Sequence, residues 1–227
     1  MNTPNAKALA ARAALDFLPE SGVIGLGTGS TAKLFIDGVG ELVRAGRALR
    51  GVPTSDASRR QAIALGIELF DDAGPWDIDV TVDGADEVSE SLDLIKGGGG
   101  AHTREKIVNF SSKKNVIVVD DSKLSKKLGE KWPVPLEILG FGHGSTVATL
   151  SHLGRVELRL KDGRPWITDS GNYIYDLHAG VLRDPAALDQ AIRAIPGVVA
   201  TGLFIQRASI VLVAGASGVS RLTLGTP

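Results

Sequence analysis

Through residues 21–121, short apolar runs of strand length alternate with stretches of helical period, and no other feature constrains the fold as strongly. Parallel strands need a crossover segment between them, and an amphipathic helix is the usual one. Val23, Ile24 and Leu26 form the first run. Glycines follow, then Leu34, Phe35 and Val39 at helical spacing. Ala48 to Val52 reads as a second strand, the polar SDAS as a cap, and the segment to Leu65 as a helix leading to Ile67–Phe70. Ile78, Val80 and Val82 alternate as a strand. A glycine run precedes a helix near Thr103 to Ser112, and NVIVVDD is another buried strand. Before all of these, Leu9, Ala13 and Phe17 suggest an amphipathic helix rather than a signal peptide.

The texture changes near Pro133. From there the order strand, helix, strand, turn, strand, helix, strand fits a split βαβ unit. ASIVLVAG is one more buried strand, read as returning to the first sheet. The expected fold is a Rossmann-like α/β parallel-sheet domain, 1–130 plus 207–227, with a small ferredoxin-like α+β domain, 131–206, inserted near the C-terminus.

Composition narrows the function. Hydrophobic residues at 43% allow a real core, and a net charge of −1 gives no electrostatic footprint for nucleic acid or an anionic membrane. Without cysteine there is no disulfide, thiolate catalysis or cysteine metal site. No apolar run approaches the ~18 residues of a membrane span. A cytoplasmic protein is expected, with no nucleic-acid or membrane partner.

Four segments carry candidate chemistry. Gly27-Thr28-Gly29-Ser30-Thr31 lies between strand and helix, where unpaired N–H groups and hydroxyls make a phosphate cradle. The alternative is a plain tight turn. A dinucleotide site would need an acid closing the second strand, but that strand ends Val52-Pro53-Thr54-Ser55. Asp83-Gly84-Ala85-Asp86 follows a strand, where paired carboxylates can hold sugar hydroxyls or move protons. The alternative is a solvated Asp-Gly turn; a third reading, a metal site with Glu87 added, has no histidine or calcium-loop spacing to support it. Lys96-Gly97-Gly98-Gly99-Gly100 suggests backbone wrapped around a ligand, since four glycines cost too much entropy to be filler. Glu105 then falls in the first turn of a helix, as a base or as a helix-start residue. Lys123, after NVIVVD, can reach an anionic substrate. The histidines show no metal-binding spacing, and only His102 lies beside these segments. GFGHGST at 140–146 echoes GLGTGST at 25–31; it reads as a glycine turn with Ser145 as helix cap, the alternative being a second phosphate site.

With GLGTGST, TSDAS, VDGADE, IKGGGGAHTREKI, VDDSK, PVPLEI and IPGVVATGLF in this order, the chain resembles the type A ribose-5-phosphate isomerase family over nearly its whole length. The resemblance implies a substrate pocket from Thr28, Gly29, Ser30, Thr31, Asp83, Gly84, Ala85, Asp86, Lys96, Gly97, Gly98, Gly99 and Lys123. It implies Glu105 as proton acceptor, with Asp83, Asp86 and Lys96 assisting catalysis. It implies a sugar-phosphate substrate in the pentose phosphate pathway, neither metal nor cofactor, and a homodimer or homotetramer. His102 and GFGHGST depart from the family pattern. The competing readings are a non-catalytic sugar-phosphate sensor, an amino-sugar phosphate deaminase and a nicotinamide dehydrogenase. The missing DNA-binding segment and the presence of Glu105 weigh against the first. The other two lack their own signatures.

Overall fold

The computed structural model describes residues 3–224, which form two compact units. One comprises the described residues up to Ala85, Arg104–Lys123 and those from Arg207 onward. The other comprises Asp86–Thr103 and Leu124–Gln206.

The first unit is built on a seven-stranded sheet. Its order is Glu68–Leu69, Ala48–Pro53, Ser21–Leu26, Ile78–Asp83, Ser112–Asp120, Ile210–Gly215 and Gly218–Leu222. All neighbours pair in parallel except the last, which is antiparallel to Ile210–Gly215. This is the doubly wound order 3-2-1-4-5-6 with an added edge strand. The direction of winding reverses between Ser21–Leu26 and Ile78–Asp83, which puts the usual ligand crevice beyond the carboxyl ends of those two strands. Helix Ser30–Arg44 buries Ala32, Phe35, Ile36, Val39 and Gly40, a stripe at helical spacing. Burying a side chain such as Phe35 contributes about 1.5–3 kcal/mol. Helix Thr3–Ala14 does not bury the stripe expected of it. Ala6, Ala10, Ala11 and Ala14 enter the core, while Leu9, Ala13 and Phe17 are only half-buried. Alanines let a helix approach a sheet more closely than leucine or phenylalanine would.

The second unit holds an antiparallel sheet in the order Val198–Thr201, Val134–Ile138, Tyr173–His178 and Arg155–Leu158. With helices His143–Leu150 and Pro185–Arg193 between strands, this is the ferredoxin-like βαββαβ order. Asp184 caps the second helix, accepting a bond from the Ala187 N–H at 2.9 Å. The helix at 143–150 starts two residues earlier than Ser145. Its cap is Gly142 in the left-handed region, so Ser145 lies inside the first turn and is not the cap.

Packing and the sequence-based boundary at 131 divide the chain differently. Residues 86–103 and 124–130 belong to the second unit, because Glu87–Val88, Leu94–Ile95 and Leu203–Phe204 form a three-stranded antiparallel sheet there. Buried Glu87 reinforces it, its carboxylate accepting the backbone N–H groups of Gly129, Glu130 and Lys131 at 2.8–3.1 Å. Among the described residues, no helix is long and apolar enough to cross a membrane.

Candidate active site

In the first unit, Gly27–Thr31 leaves the carboxyl end of Ser21–Leu26 and enters the helix Ser30–Arg44. Buried Asp83, at the carboxyl end of the neighbouring strand, braces this loop. Its Oδ1 accepts the Thr28 N–H at 3.0 Å and the Gly84 N–H at 2.8 Å. Such contact requires glycine at 27, where a Cβ would lie 2.6 Å from the Asp83 Cα. Gly29 and Ser30 are exposed at the loop tip, and Thr28 and Thr31 are half-buried. The tip is therefore open to an anion while its base is fixed.

Sequence reasoning missed what lies under the loop. The Thr28 hydroxyl meets those of Thr54 and Ser55 at 2.8 Å, and the Ser58 hydroxyl donates to the Gly27 carbonyl at 2.6 Å. Ser55 also caps the helix Asp56–Ala64, accepting the Ser58 N–H at 3.1 Å, as the polar SDAS suggested. Lys7 was missed as well. Its ammonium donates to the Ser30 hydroxyl at 2.9 Å, which adds positive charge at the mouth of the cradle. On a helix read only for its apolar spacing, a lone lysine carries no local signal.

Glu105 is buried in the first turn of helix His102–Phe110. Its neighbour Arg104 is bonded at 2.7 Å to Asp56, which fixes the start of that helix to the start of Asp56–Ala64. Lys123 closes the short 3-10 turn after Ser112–Asp120, at the same carboxyl edge of the sheet as Asp83.

In the second unit, Lys96 is buried. Its N–H donates to the Gly202 carbonyl at 2.9 Å, and its ammonium lies 5.5 Å from the centre of the Phe204 ring. The glycine loop that follows is tightly folded. Gly97 has φ +112°, a region that side chains rarely enter, and a Cβ there would press on the buried His102 ring. The Gly98 N–H donates to Asp86 Oδ2 at 2.6 Å, and the Gly100 N–H to the Gly97 carbonyl at 3.0 Å. Gly99 stands exposed at the tip. Glu87 does not extend the DGAD carboxylates into a metal-binding set, since it is engaged by the three backbone donors already described. GFGHGST follows an antiparallel strand, and its His143 Nδ1 is 2.6 Å from the Tyr175 hydroxyl.

The first unit thus carries the Gly27–Thr31 loop braced by Asp83 on its doubly wound sheet, and the second unit carries Asp86, Lys96 and the glycine loop. The family model described as ribose 5-phosphate isomerase A (phosphoriboisomerase A) matches residues 50–218. Ribose-5-phosphate isomerase A of Gloeobacter violaceus is 46% identical over 219 residues, covering 96% of this chain and 95% of the relative. The structure of ribose 5-phosphate isomerase A from Methanocaldococcus jannaschii superposes with a TM-score of 0.92 at 40% identity, covering 97% of this chain and 99% of that one. A structure of D-ribose-5-phosphate isomerase in complex with phospho-erythronic acid gives 0.95 at 39% identity, covering 99% and 100%. With its fold and nearly its whole length matched, the chain belongs to the ribose 5-phosphate isomerase A family.

Proposed function

We propose that the protein interconverts ribose 5-phosphate and ribulose 5-phosphate, with Glu105 carrying the proton between C2 and C1 through a cis-enediolate. The observation that carries this reading is family membership together with a buried glutamate in the first helical turn after the glycine run. One base serves both carbons, because the proton leaves C2 of the aldose and returns to C1 of the ketose on the same face. The enediolate oxygens need positive partners, and the Lys96 ammonium and the glycine-loop amides supply them. Ser30, Thr31, Lys7 and the amides at the start of helix Ser30–Arg44 suit the phosphate, whose binding energy orients the distant reacting carbons. Lys123 adds charge for the same anion. Asp83 and Asp86 suit the sugar hydroxyls and the proton transfer that opens the furanose ring. A place in the pentose phosphate pathway follows from these two sugar phosphates. A cytoplasmic homodimer or homotetramer is part of the same reading. Exposed Leu139, Phe141 and Val199 support self-association.

Purified protein in deuterated water, given ribose 5-phosphate alone, is expected to form ketose carrying solvent deuterium at C1. Glu105→Gln is expected to lower turnover by about 10²-fold or more with folding intact. Binding without conversion would replace the isomerase by a sugar-phosphate sensor. Near-normal turnover in Glu105→Gln would assign the base elsewhere.

A further inference from the structure

The loop Gly97–Gly100 has an anchor that none of the sequence motifs contains. Arg159, just after the strand Arg155–Leu158, sends Nη1 to the Gly97 carbonyl at 2.6 Å and to the Gly98 carbonyl at 3.3 Å. The guanidinium is itself held by Asp176 in a two-point pair, with Nε to Oδ2 at 2.8 Å and Nη2 to Oδ1. Its backbone is fixed too: the N–H donates to the Ile174 carbonyl and the carbonyl accepts the Trp166 N–H, both at 2.9 Å. Trp166 packs against Gly100, where a Cβ would come within 3.1 Å of the indole. The arginine is therefore constrained at both ends and cannot swing away from the loop.

The consequence follows from peptide geometry. In a trans peptide the N–H points opposite to the preceding carbonyl. The Gly97–Gly98 peptide is gripped at both ends, its carbonyl by Arg159 and its N–H by Asp86. In the next peptide, drawing the Gly98 carbonyl toward Arg159 turns the Gly99 N–H the other way, toward the exposed tip. The amides of Gly98 and Gly100 already have acceptors in Asp86 and Gly97. Among the described residues, the Gly99 N–H has no such internal acceptor. A four-glycine loop left to itself samples many conformers, and a donor that must reorganise during reaction stabilises charge poorly.

We infer that Arg159, locked by Asp176, is a positioning residue for the isomerisation, fixing the Gly97–Gly99 peptides so that the Gly99 N–H serves as a preorganised donor to the enediolate oxygen. This rests on the isomerase reading, and ketose formation by the wild-type protein tests that reading first. Given that activity, Arg159→Met is expected to lower kcat by about 10²-fold, the scale of losing one oxyanion donor. KM for ribose 5-phosphate should stay within about threefold, because the phosphate cradle at Gly27–Thr31 is untouched. Arg159→Lys, which keeps the charge but not the fork, should fall between. The decisive probe is a four-carbon aldonic acid phosphate, whose carboxylate imitates the enediolate. Its affinity should fall in Arg159→Met by about the same factor as kcat, while inhibition by inorganic phosphate is unchanged. If Arg159→Met is insoluble, Asp176→Asn, which only loosens the arginine, should show the same split on a smaller scale. Unchanged kcat in the soluble variants would overturn the proposal. So would a kcat loss with full affinity for the acid phosphate, which would mark a merely structural role.

Discussion

A methyl group on Gly27 would fall 2.6 Å from the Asp83 Cα, a backbone atom that no rotamer change can move aside. Gly27→Ala is therefore expected to destabilise the protein by about 1–3 kcal/mol, as overpacking does. It should also lower turnover, since it displaces the carboxylate that braces Thr28. Urea unfolding and ribose 5-phosphate turnover check both, and wild-type stability would mean that the two strands part there at no cost. The glycines and acids of this region were readable because their types announce chemistry locally. What braces them was not. Thr28 meets Ser55 across 27 positions and Arg104 meets Asp56 across 48, and such pairings leave no periodic trace in the sequence. Arg159 is a starker case, standing 62 positions from Gly97 just past the end of a short strand of ordinary alternating pattern.

Strand Ile78–Asp83 shows how one element is held by charge at its start and by a buried acid, Asp83, at its end. Near the start, Asp79 accepts the Val23 N–H from the neighbouring strand at 3.0 Å and the Lys113 ammonium at 2.9 Å. Those bonds, the lysine's first and then the backbone's, hold its carboxyl below the ordinary 3.8. A carboxylate depressed in the folded state stabilises the fold above its unfolded value and loses that contribution as pH falls through the folded one. The stability gap between wild type and Asp79→Asn should thus be open at neutral pH and close as pH falls below the ordinary 3.8 through the lowered folded value, as read by urea unfolding across pH. A gap that persists in acid would trace the effect to something other than the charge. Strands such as this one were legible from buried β-branched runs. Gly218–Leu222 was not, because it is largely exposed and polar, and neither were Glu87–Val88 and Leu94–Ile95, two residues each and too short for any period.

At the scale of the molecule, the chain passes between its two units four times, after Ala85, Thr103, Lys123 and Gln206. A composition shift near Pro133 made the large insertion visible, but the early excursion 86–103 is hidden in a glycine-rich stretch with no shift of its own. Residues 131–206 made as a separate peptide would lack Leu94–Ile95 against Leu203–Phe204, and lack the Glu87 carboxylate. That fragment is expected to show collapsed amide dispersion in a proton–nitrogen spectrum, whereas a well-dispersed one would make 131–206 self-sufficient. The strand order carries a further consequence, for the chain while it is being made. Ile210–Gly215 pairs with Ser112–Asp120, so the latter keeps an open edge of Val116, Ile117, Val118 and Val119 until 210–215 leaves the ribosome. At about 5–20 residues per second, synthesis of the intervening chain takes roughly 5–20 s. Throughout that interval the nascent polypeptide displays an unpaired hydrophobic strand, the kind of surface that holding chaperones cover.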